Sequence, residues 1–149
     1  YVLERASNLV IQSEYFNYNS TPASKLINSL RANKISHIIL AGYLRLIPNK
    51  IIKEFPNKIL NIHPALLPKF GGKGYYGDYV HKSVIDSKEK KSGITIHLVN
   101  EKYDDGRILF QKSIAVMSDD DVASLSSRIH QLEYKYYPQI IEKYLLNQL

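Results

Sequence analysis

The chain has 149 residues, a length that suits one domain with a substantial hydrophobic core. Its composition, 44% hydrophobic and 23% charged, is that of a globular protein, and the absence of cysteine excludes disulfides, cysteine nucleophiles and thiolate metal sites. The net charge of +6 favours anionic ligands, but the lysines are spread along the chain, so most of them are expected on a solvated surface.

The first third of the chain predicts a strand, a helix and a second strand. Residues 9–11 form a short apolar run of strand type. Thr21 and Pro22 mark a helix start, with a hydroxyl at the N-cap and proline at the first helical position. The nearly continuous apolar run over 35–40 predicts a strand buried on both faces.

The next predicted strand, over 58–63, ends in two polar side chains. Residues two apart on a strand share a face, so Asn61 and His63 point the same way. Pro64 cannot continue a central strand and forces the chain out at this point. Because open α/β sheets bind ligands at the carboxyl ends of their strands, the pattern predicts a ligand site. A polar strand end hydrogen-bonded to a turn is the alternative for the same residues.

Further along, a glycine-rich loop precedes a helix and two strands. Four of the seven glycines lie in residues 71–77, which indicates a mobile or tightly turned loop. The helix is predicted over 78–87, with its apolar side chains inward. The strands, over 94–99 and 108–116, alternate in polarity well enough to be paired neighbours.

The last predicted element is a long helix. Ser118 and the three aspartates after it open this helix, since acidic residues favour its positive end, and Pro138 is expected to kink or divide it. The alternation of strands and helices predicts an α/β fold with a mostly parallel sheet covered on both faces. We expect a single domain over residues 1–149.

The remaining histidines carry weaker signals. His97 sits in mid-strand and is predicted to be a core or supporting residue rather than an acid–base group. His81 is expected on a helix surface, and His130 lies one turn before Glu133. No pair of histidines or carboxylates has the spacing of metal ligands on one helix, so no metal site is predicted.

Three blocks of sequence resemble one enzyme family. Residues 61–68, Asn-Ile-His-Pro-Ala-Leu-Leu-Pro, resemble the active-site segment of the folate-dependent formyltransferases. Residues 93–97 and 103–106 are similar to the second block of that superfamily, and residues 41–46 to the folate-contacting strand end of its phosphoribosylglycinamide branch. The resemblance covers nearly the whole chain. It implies a doubly wound, Rossmann-type α/β fold.

The resemblance implies transfer of a formyl group from 10-formyltetrahydrofolate to the amine of N1-(5-phosphoribosyl)glycinamide, in de novo purine biosynthesis. Such a reaction needs hydrogen-bond donors for a developing oxyanion and a route for a proton. Asn61 offers an uncharged donor, and His63 offers a donor or a positive charge. A nearby carboxylate is expected to raise the pKa of His63. The family motif, Asp-any-Gly, identifies Asp104, whereas the residues alone leave Asp105 and Glu101 open.

Binding residues follow from the same resemblance. Those implied for the folate are Leu44, Arg45, Leu46, Ile47 and Asn61. Arg45 also suits a strand-end arginine that pairs with a surface acid. Pro64 and Glu133 are implied for the amine substrate, although a solvated helical glutamate is an equal alternative for Glu133. We expect small-molecule substrates, a cytoplasmic location, and neither nucleic acid nor a membrane as partner.

One departure and three alternatives accompany this interpretation. No glycine-rich phosphate turn is present before the first predicted strand, so the chain is expected to lack the amino-terminal strand and phosphate loop of a longer parent. Hydrolysis of the formyl folate and another folate-dependent N-formyl transfer are alternative reactions of the same three side chains. A basic, tyrosine-rich domain that binds nucleotides or RNA is the non-enzymatic alternative, although its basic residues form no stripe interleaved with aromatic ones.

Overall fold

The structure is a computed structural model that describes residues 2–149, and these residues form two compact units. One unit ends at Ile35 and the other is Ser36–Leu149. The prediction of a single domain stays a prediction. In chain order the elements are α1 (Val2–Asn8), α2 (Ala23–Ala32), β1 (Ile38–Leu40), α3 (Asn49–Glu54), β2 (Ile59–His63), α4 (Asp78–Asp86), β3 (Lys91–Leu98), β4 (Ile108–Ala115) and α5 (Val122–Leu145).

The first unit contains α1 and α2, and the strand predicted over residues 9–11 is wrong. The backbone N–H groups of Leu9, Val10 and Ile11 donate to carbonyls of α1. Val10 also adopts a left-handed φ of 57°, so these residues close the end of a helix. The apolar run there is too short to separate a strand from a helix end.

The second unit is built on a four-stranded sheet in the order β1-β2-β3-β4. The predicted α/β fold class is confirmed, but the sheet is mixed: β1 and β2 are parallel, whereas β2–β3 and β3–β4 are antiparallel. The loop between β3 and β4 contains no helix, and a short connection of this kind can join only antiparallel neighbours. The two predicted paired strands are confirmed as β3 and β4.

β1 is not buried on both faces, as the apolar run had predicted. Ile39 is 36% exposed, whereas Leu40 is 9% exposed. In the sheet of the described residues β1 has β2 as its one neighbour, so its backbone and side chains are less covered than those of a central strand.

The central strands present different side chains to their two sides. Ile62 of β2 and its cross-strand partner Ile96 of β3 pack with α5, as does Ile94. We call this side the helix-packed face. The alternate residues form the polar face, which carries Asn61, His63, Thr95, His97 and Gln111.

Helix α5 packs on the helix-packed face through two hydrophobic clusters. Its buried residues are Leu125, Ile129, Tyr137 and Ile140. Asp121 caps its amino terminus in a reciprocal capping box with Ser124, close to where the acidic run had predicted the start. Pro138 lies within one continuous 24-residue helix, so the helix is not divided there, and the kink that was the other expectation stays a prediction. Helix α4 lies where the sequence predicted it.

Candidate active site

The polar side chains at the end of β2 lie opposite β3. Asn61 pairs with His97 across the two strands, and His63 pairs with Thr95. Directly opposed residues place their side chains on one face of a sheet, so Asn61 and His63 both meet groups from β3. The Asn61 Nδ2 atom lies 3.2 Å from His97 Nε2. The predicted position of His97 as a supporting residue agrees with this contact.

His63 is enclosed, with 3% of its surface exposed. Its Nε2 donates a hydrogen bond to the Phe70 carbonyl oxygen at 2.7 Å. Its other ring nitrogen, Nδ1, faces Asp104 Oδ2 at 3.6 Å. A carbonyl can only accept, so the Nε2 proton is fixed, and a proton taken up at Nδ1 lies against a carboxylate.

Asp104 meets both histidine rings. One carboxylate oxygen, Oδ2, faces His63 and accepts a hydrogen bond from the Gly72 N–H at 3.0 Å. The other oxygen, Oδ1, lies 3.6 Å from His97 Nε2. The geometry therefore brings together Asn61, His63 and Asp104, the three side chains that the resemblance implied for catalysis. Their catalytic roles stay predictions.

The other two acids considered as the partner of His63 lie elsewhere on the loop. Asp105 points to solvent, with more than half of its side chain exposed, and contacts Asn100 and Lys102. Glu101 is exposed as well. Among the three acids that the residues alone left open, Asp104 is the one beside His63.

Two positions near Asp104 are packed so closely that only glycine fits there. A Cβ atom at Gly106 would overlap the Leu98 carbonyl oxygen, and a Cβ at Gly71 would overlap the Leu67 side chain and lie 3.2 Å from the Asp104 Cβ. Asp104 itself adopts a left-handed φ of 52°. The Asp-any-Gly spacing thus lets the loop turn tightly against β3 and direct the carboxylate inward.

The glycine-rich loop contributes backbone groups to the site. The Phe70 carbonyl and the Gly72 N–H are the partners of His63 and Asp104, and the sequence analysis did not identify either residue. Of the two expectations for this loop, a tight turn is the one the contacts support. Glycine density was the available signal, because close backbone approach needs residues without side chains.

The segment after His63 is held to the polar face by Thr95. The Thr95 hydroxyl donates to the Ala65 carbonyl at 2.7 Å and accepts from the Leu67 N–H at 3.0 Å. Gln111 Nε2 donates to the Leu67 carbonyl and to the same hydroxyl, both at 2.9 Å. These bonds fix the path of the chain from the end of β2 to Phe70.

The expected rise in the pKa of His63 is wrong in direction. Burial lowers the pKa of His63 below its ordinary value of 6.5, and this effect outweighs the upward influence of the Asp104 carboxylate and the Phe70 carbonyl. His63 is therefore predominantly neutral at pH 7. A neutral ring with its proton on Nε2 has a lone pair on Nδ1, which suits a group that accepts a proton.

Asp104 stays ionised beside this ring. Burial alone would raise its pKa, but its contacts with the His97 ring, the His63 ring and the Gly72 N–H together lower the pKa below the ordinary value of 3.8. The site thus holds a carboxylate against a neutral imidazole, and the carboxylate stabilises a proton that arrives on the ring.

Glu133 on α5 is close enough for its charge to act on His63. Its carboxylate exerts an upward influence on the pKa of His63, smaller than that of Asp104. Its Oε2 also lies 2.8 Å from His130 Nδ1. A surface cavity of about 750 Å³ opens beside this pair, between Asp78 and α5, with Tyr134 on its wall. Pro64 follows β2 directly, as predicted.

Apart from Asn61 in β2, the residues implied for the folate lie on the loop between β1 and α3. Leu44 and Arg45 are exposed on this loop, and Ile47 is buried. Leu40, which ends β1, pairs with Asn61, so the loop leaves the sheet at the level of the Asn61 amide. Gly42 turns the chain there with a φ of 68°. A role in folate binding for Leu44, Arg45, Leu46 and Ile47 stays a prediction.

His81 is buried, which corrects the expectation of a surface position. It is 2% exposed, and within residues 2–149 its Nδ1 is one of two buried side-chain atoms without a hydrogen-bond partner. Burial lowers its pKa, and the nearby rings of His130 and His63 act in the same direction. The apolar side chains of α4 were predicted to face inward, and Val80 and Val84 are buried. His81 is buried with them because α4 packs closely against α5.

Two further features of the described residues bear on binding. No group of three or more histidine, aspartate or glutamate side chains in residues 2–149 is arranged to hold a metal ion. Over the same residues, no helix has the length and apolar character needed to cross a bilayer.

Known proteins are similar to this chain in sequence and in fold. The model of the formyl transferase family matches residues 3–141. The chloroplastic phosphoribosylglycinamide formyltransferase of Arabidopsis thaliana is 49% identical over 118 residues, which cover 79% of this chain and 40% of the plant protein. The Bacillus subtilis phosphoribosylglycinamide formyltransferase is 38% identical over 149 residues, covering 97% of this chain and 74% of the bacterial protein. The chain thus spans about two fifths of the plant relative's length.

Solved structures agree with the sequence relatives. The crystal structure of phosphoribosylglycinamide formyltransferase from Bacillus halodurans has a TM-score of 0.87 at 29% identity, over 97% of this chain and 74% of that one. Glycinamide ribonucleotide transformylase 1 from Symbiobacterium toebii has a TM-score of 0.84 at 33% identity, over 93% of this chain and 66% of that one. The fold that surrounds the candidate site is the fold of these enzymes.

Proposed function

Because this chain belongs to the formyl transferase family, we propose that it transfers a formyl group from 10-formyltetrahydrofolate to the amine of N1-(5-phosphoribosyl)glycinamide. The names of its relatives support this reaction. Its place in de novo purine biosynthesis is part of the proposal. The observation that carries the proposal is the convergence of Asn61, His63 and Asp104 at the end of β2. Elements far apart in sequence supply these side chains.

In the proposed reaction Asn61 donates an amide N–H to the formyl oxygen. A donor of this kind stabilises the negative charge that develops on the oxygen as the amine attacks, and it needs no change of its own charge. Donors at such positions are typically worth ~10²–10³ in rate. Its neighbour across the strands, His97, holds the amide.

His63 accepts the proton that the attacking amine loses. Its neutral state and the lone pair on Nδ1 suit this role, and Asp104 Oδ2 lies 3.6 Å from that nitrogen to stabilise the resulting imidazolium. The proton then passes from the ring to the departing folate nitrogen. The carboxylate remains ionised throughout, because its contacts lower its pKa.

The two substrates approach from different parts of the second unit. We assign the folate to the loop with Leu44, Arg45, Leu46 and Ile47, beside Asn61. We assign the amine substrate to Pro64 and Glu133, since the charge of Glu133 reaches His63 from α5. A carboxylate there suits a ligand with hydroxyl and amine donors. A cytoplasmic location is part of the proposal, although the Arabidopsis relative is named as chloroplastic.

The test compares two adjacent aspartates in the full-length protein. Asp104→Asn is expected to lower the rate of amine formylation by ~10²–10³, and His63→Ala by ~10²–10⁴, because each removes a group that acts on the transferred proton. Asp105→Asn is the matched control, since Asp105 is solvent-exposed, and it is expected to stay within about twofold of the parent.

The outcomes separate the alternatives. Near-normal turnover in both His63→Ala and Asp104→Asn removes the proposed mechanism. Release of formate from 10-formyltetrahydrofolate without any added amine assigns the hydrolytic reaction instead. RNA binding with a steep salt dependence, together with no folate binding, supports the non-enzymatic alternative.

A further inference from the structure

His97 is the buried neighbour of Asn61 on the polar face. It is 2% exposed, and its Nε2 lies 3.2 Å from Asn61 Nδ2. We propose that His97 is a positioning residue: its Nδ1–H tautomer fixes the orientation of the Asn61 amide, so that one amide N–H is left for the formyl oxygen. This inference rests on the formyl transfer proposed above and adds a residue that acts through Asn61.

The tautomer of His97 follows from its partner at Nδ1. That nitrogen lies 2.9 Å from the Leu98 carbonyl oxygen, which can only accept, so Nδ1 carries the proton. The carbonyl cannot turn away freely, because Gly106 packs against it so closely that even a Cβ atom would overlap it. In the neutral ring Nε2 then has a lone pair and acts as an acceptor.

The tautomer decides which end of the Asn61 amide faces His97. A lone pair on Nε2 attracts the NH2 end of the amide and repels its carbonyl oxygen, in agreement with the observed contact to Nδ2. An NH2 group has two hydrogens that diverge in the amide plane. With one of them bound to His97, the other remains available as the uncharged donor that the proposed reaction requires.

The pairing of β2 and β3 places His97 beside Asn61. Asn61 and His97 are directly opposed in the β2–β3 ladder, and the β3–β4 ladder has an irregularity between Ile96 and His97. An irregularity of this kind turns a side chain away from its regular direction and often lies next to an active site. His97 Nε2 also lies 3.6 Å from Asp104 Oδ1, and a hydrogen bond from this ring is among the contacts that lower the pKa of Asp104. The competing arrangement is therefore a ring protonated at Nε2, which would donate to the carboxylate or to the amide oxygen.

Two substitutions of His97 separate these arrangements. In His97→Gln the side-chain amide reaches the position of Nε2 and offers an oxygen as acceptor for Asn61. In His97→Asn the shorter amide reaches only the position of Nδ1, so it can bond the Leu98 carbonyl but not Asn61. We expect kcat to fall by ~10²–10³ in His97→Asn and by no more than about tenfold in His97→Gln, with KM for the amine nearly unchanged in both.

A double-mutant cycle with Asn61→Ala shows whether His97 acts through Asn61. Once the amide is gone, His97→Asn is expected to cause no further loss of kcat, because the two residues act as a unit. Thermal unfolding of each variant serves as the control for a merely structural role. A nitrogen-15 histidine spectrum of the parent protein is a readout independent of turnover, and the signal absent from His97→Gln is expected to be that of an Nδ1–H tautomer.

The inference is overturned if His97→Asn and His97→Gln have equal kcat, if the losses of Asn61→Ala and His97→Asn multiply, or if the His97 ring is protonated at Nε2. Should His97→Asn not fold, the spectrum and His97→Gln decide the matter. If the parent protein transfers no formyl group, the proposed function fails, and the tautomer in the spectrum still supports or overturns the arrangement of His97.

Discussion

Ile62 and His63 are adjacent in β2 and yet belong to different environments. The Ile62 side chain packs among the residues of α5, whereas the His63 ring meets a carbonyl and a carboxylate. The same division continues across the sheet, with Ile96 beside His97 and Ile94 beside Thr95. One strand thus gives its even residues to the helix-packed face and its odd residues to the polar face.

The difference between the faces separates two kinds of consequence. On the helix-packed face the side chains are interchangeable in chemistry, and their volume and burial determine stability. On the polar face each group has a specific partner, so a change of one atom alters charge or hydrogen bonding in the site. We therefore expect substitutions on the first face to change the free energy of unfolding, and those on the second to change turnover.

The largest expected effect on stability lies on the helix-packed face. Ile129 is fully buried in contact with Val84, Ile94 and Leu125. Ile129→Ala leaves a cavity there and is expected to lower the free energy of unfolding by about 2–5 kcal/mol, with kcat unchanged where the protein remains folded. Urea unfolding measures the first quantity. Lys143→Ala, an exposed substitution on the same helix, is the control and is expected to stay within about 0.5 kcal/mol.

Thr95 tests whether the division between the faces is complete. Thr95→Val keeps the shape of the side chain but leaves the Leu67 N–H and the Ala65 carbonyl without their bonds to the hydroxyl. We expect a loss of about 1–3 kcal/mol in unfolding free energy and, because the chain to Phe70 shifts, a loss of up to ~10² in kcat. Thr95→Ser retains the hydroxyl and should retain turnover. Equal kcat in the two variants would contradict this role for the hydroxyl.

Strand periodicity explains why the faces could be predicted from the sequence. Asn61 and His63 are two residues apart, and that spacing alone places them together. The buried positions of α5 follow from its helical repeat in the same way. The spacing of Asp104 and Gly106 carried a family resemblance, and the structure supplies its physical reason in the carbonyl that packs on the glycine.

The rest depends on tertiary contacts that a linear pattern does not contain. The partners of His63 and Asp104 on the glycine loop are backbone groups, which every residue possesses. The direction of the His63 pKa depends on how deeply the ring is buried, and that is fixed by chain segments distant in sequence. The burial of His81 has the same origin. The direction of each strand in the mixed sheet is likewise not contained in its apolar content: β3 is antiparallel to both β2 and β4.

Acidification is expected to lower the free energy of unfolding through histidines on both sides of the sheet. His63 on the polar face and His81 on α4 have pKa values lowered below 6.5 by burial, so below pH 6.5 the unfolded chain binds protons that the folded chain does not. The free energy of unfolding should therefore fall with pH, by up to about 1.4 kcal/mol per pH unit for each proton of difference, until the folded-state pKa values are passed. Asp104, whose pKa is also lowered, adds a further loss near and below pH 3.8.

The variant His81→Gln separates the contributions of His81 and His63 to this pH dependence of the unfolding free energy. The variant removes the contribution of α4 and leaves His63 in place, so urea unfolding between pH 7.5 and pH 5 should show a shallower slope than in the parent protein. Asp78, His130 and His63 are the charged or titratable groups that act on His81. An unchanged slope would assign the acid sensitivity to other groups.

The smallest expected effect lies remote from both faces, at the amino terminus of α5. Asp121 accepts a hydrogen bond from the Ser124 N–H at 2.8 Å, and its own N–H donates to the Ser124 hydroxyl at 3.0 Å. Asp121→Ala removes the cap and is expected to lower the free energy of unfolding by about 1 kcal/mol, whereas Asp119→Ala, an exposed acid just outside the cap, should cost only a few tenths.

Turnover is the decisive measurement for the cap variant. Because Asp121 contacts neither Asn61 nor His63, a loss of stability at this site should leave kcat unchanged at 25 °C. If kcat nevertheless fell with Asp121→Ala, then modest destabilisation alone would disturb the arrangement of Asn61, His63 and Asp104. The effect of Thr95→Val on turnover could then no longer be attributed to the hydroxyl. The variant Asp121→Ala is therefore the control for stability. It shows whether a loss of kcat in a polar-face variant comes from the altered site or from a less stable fold.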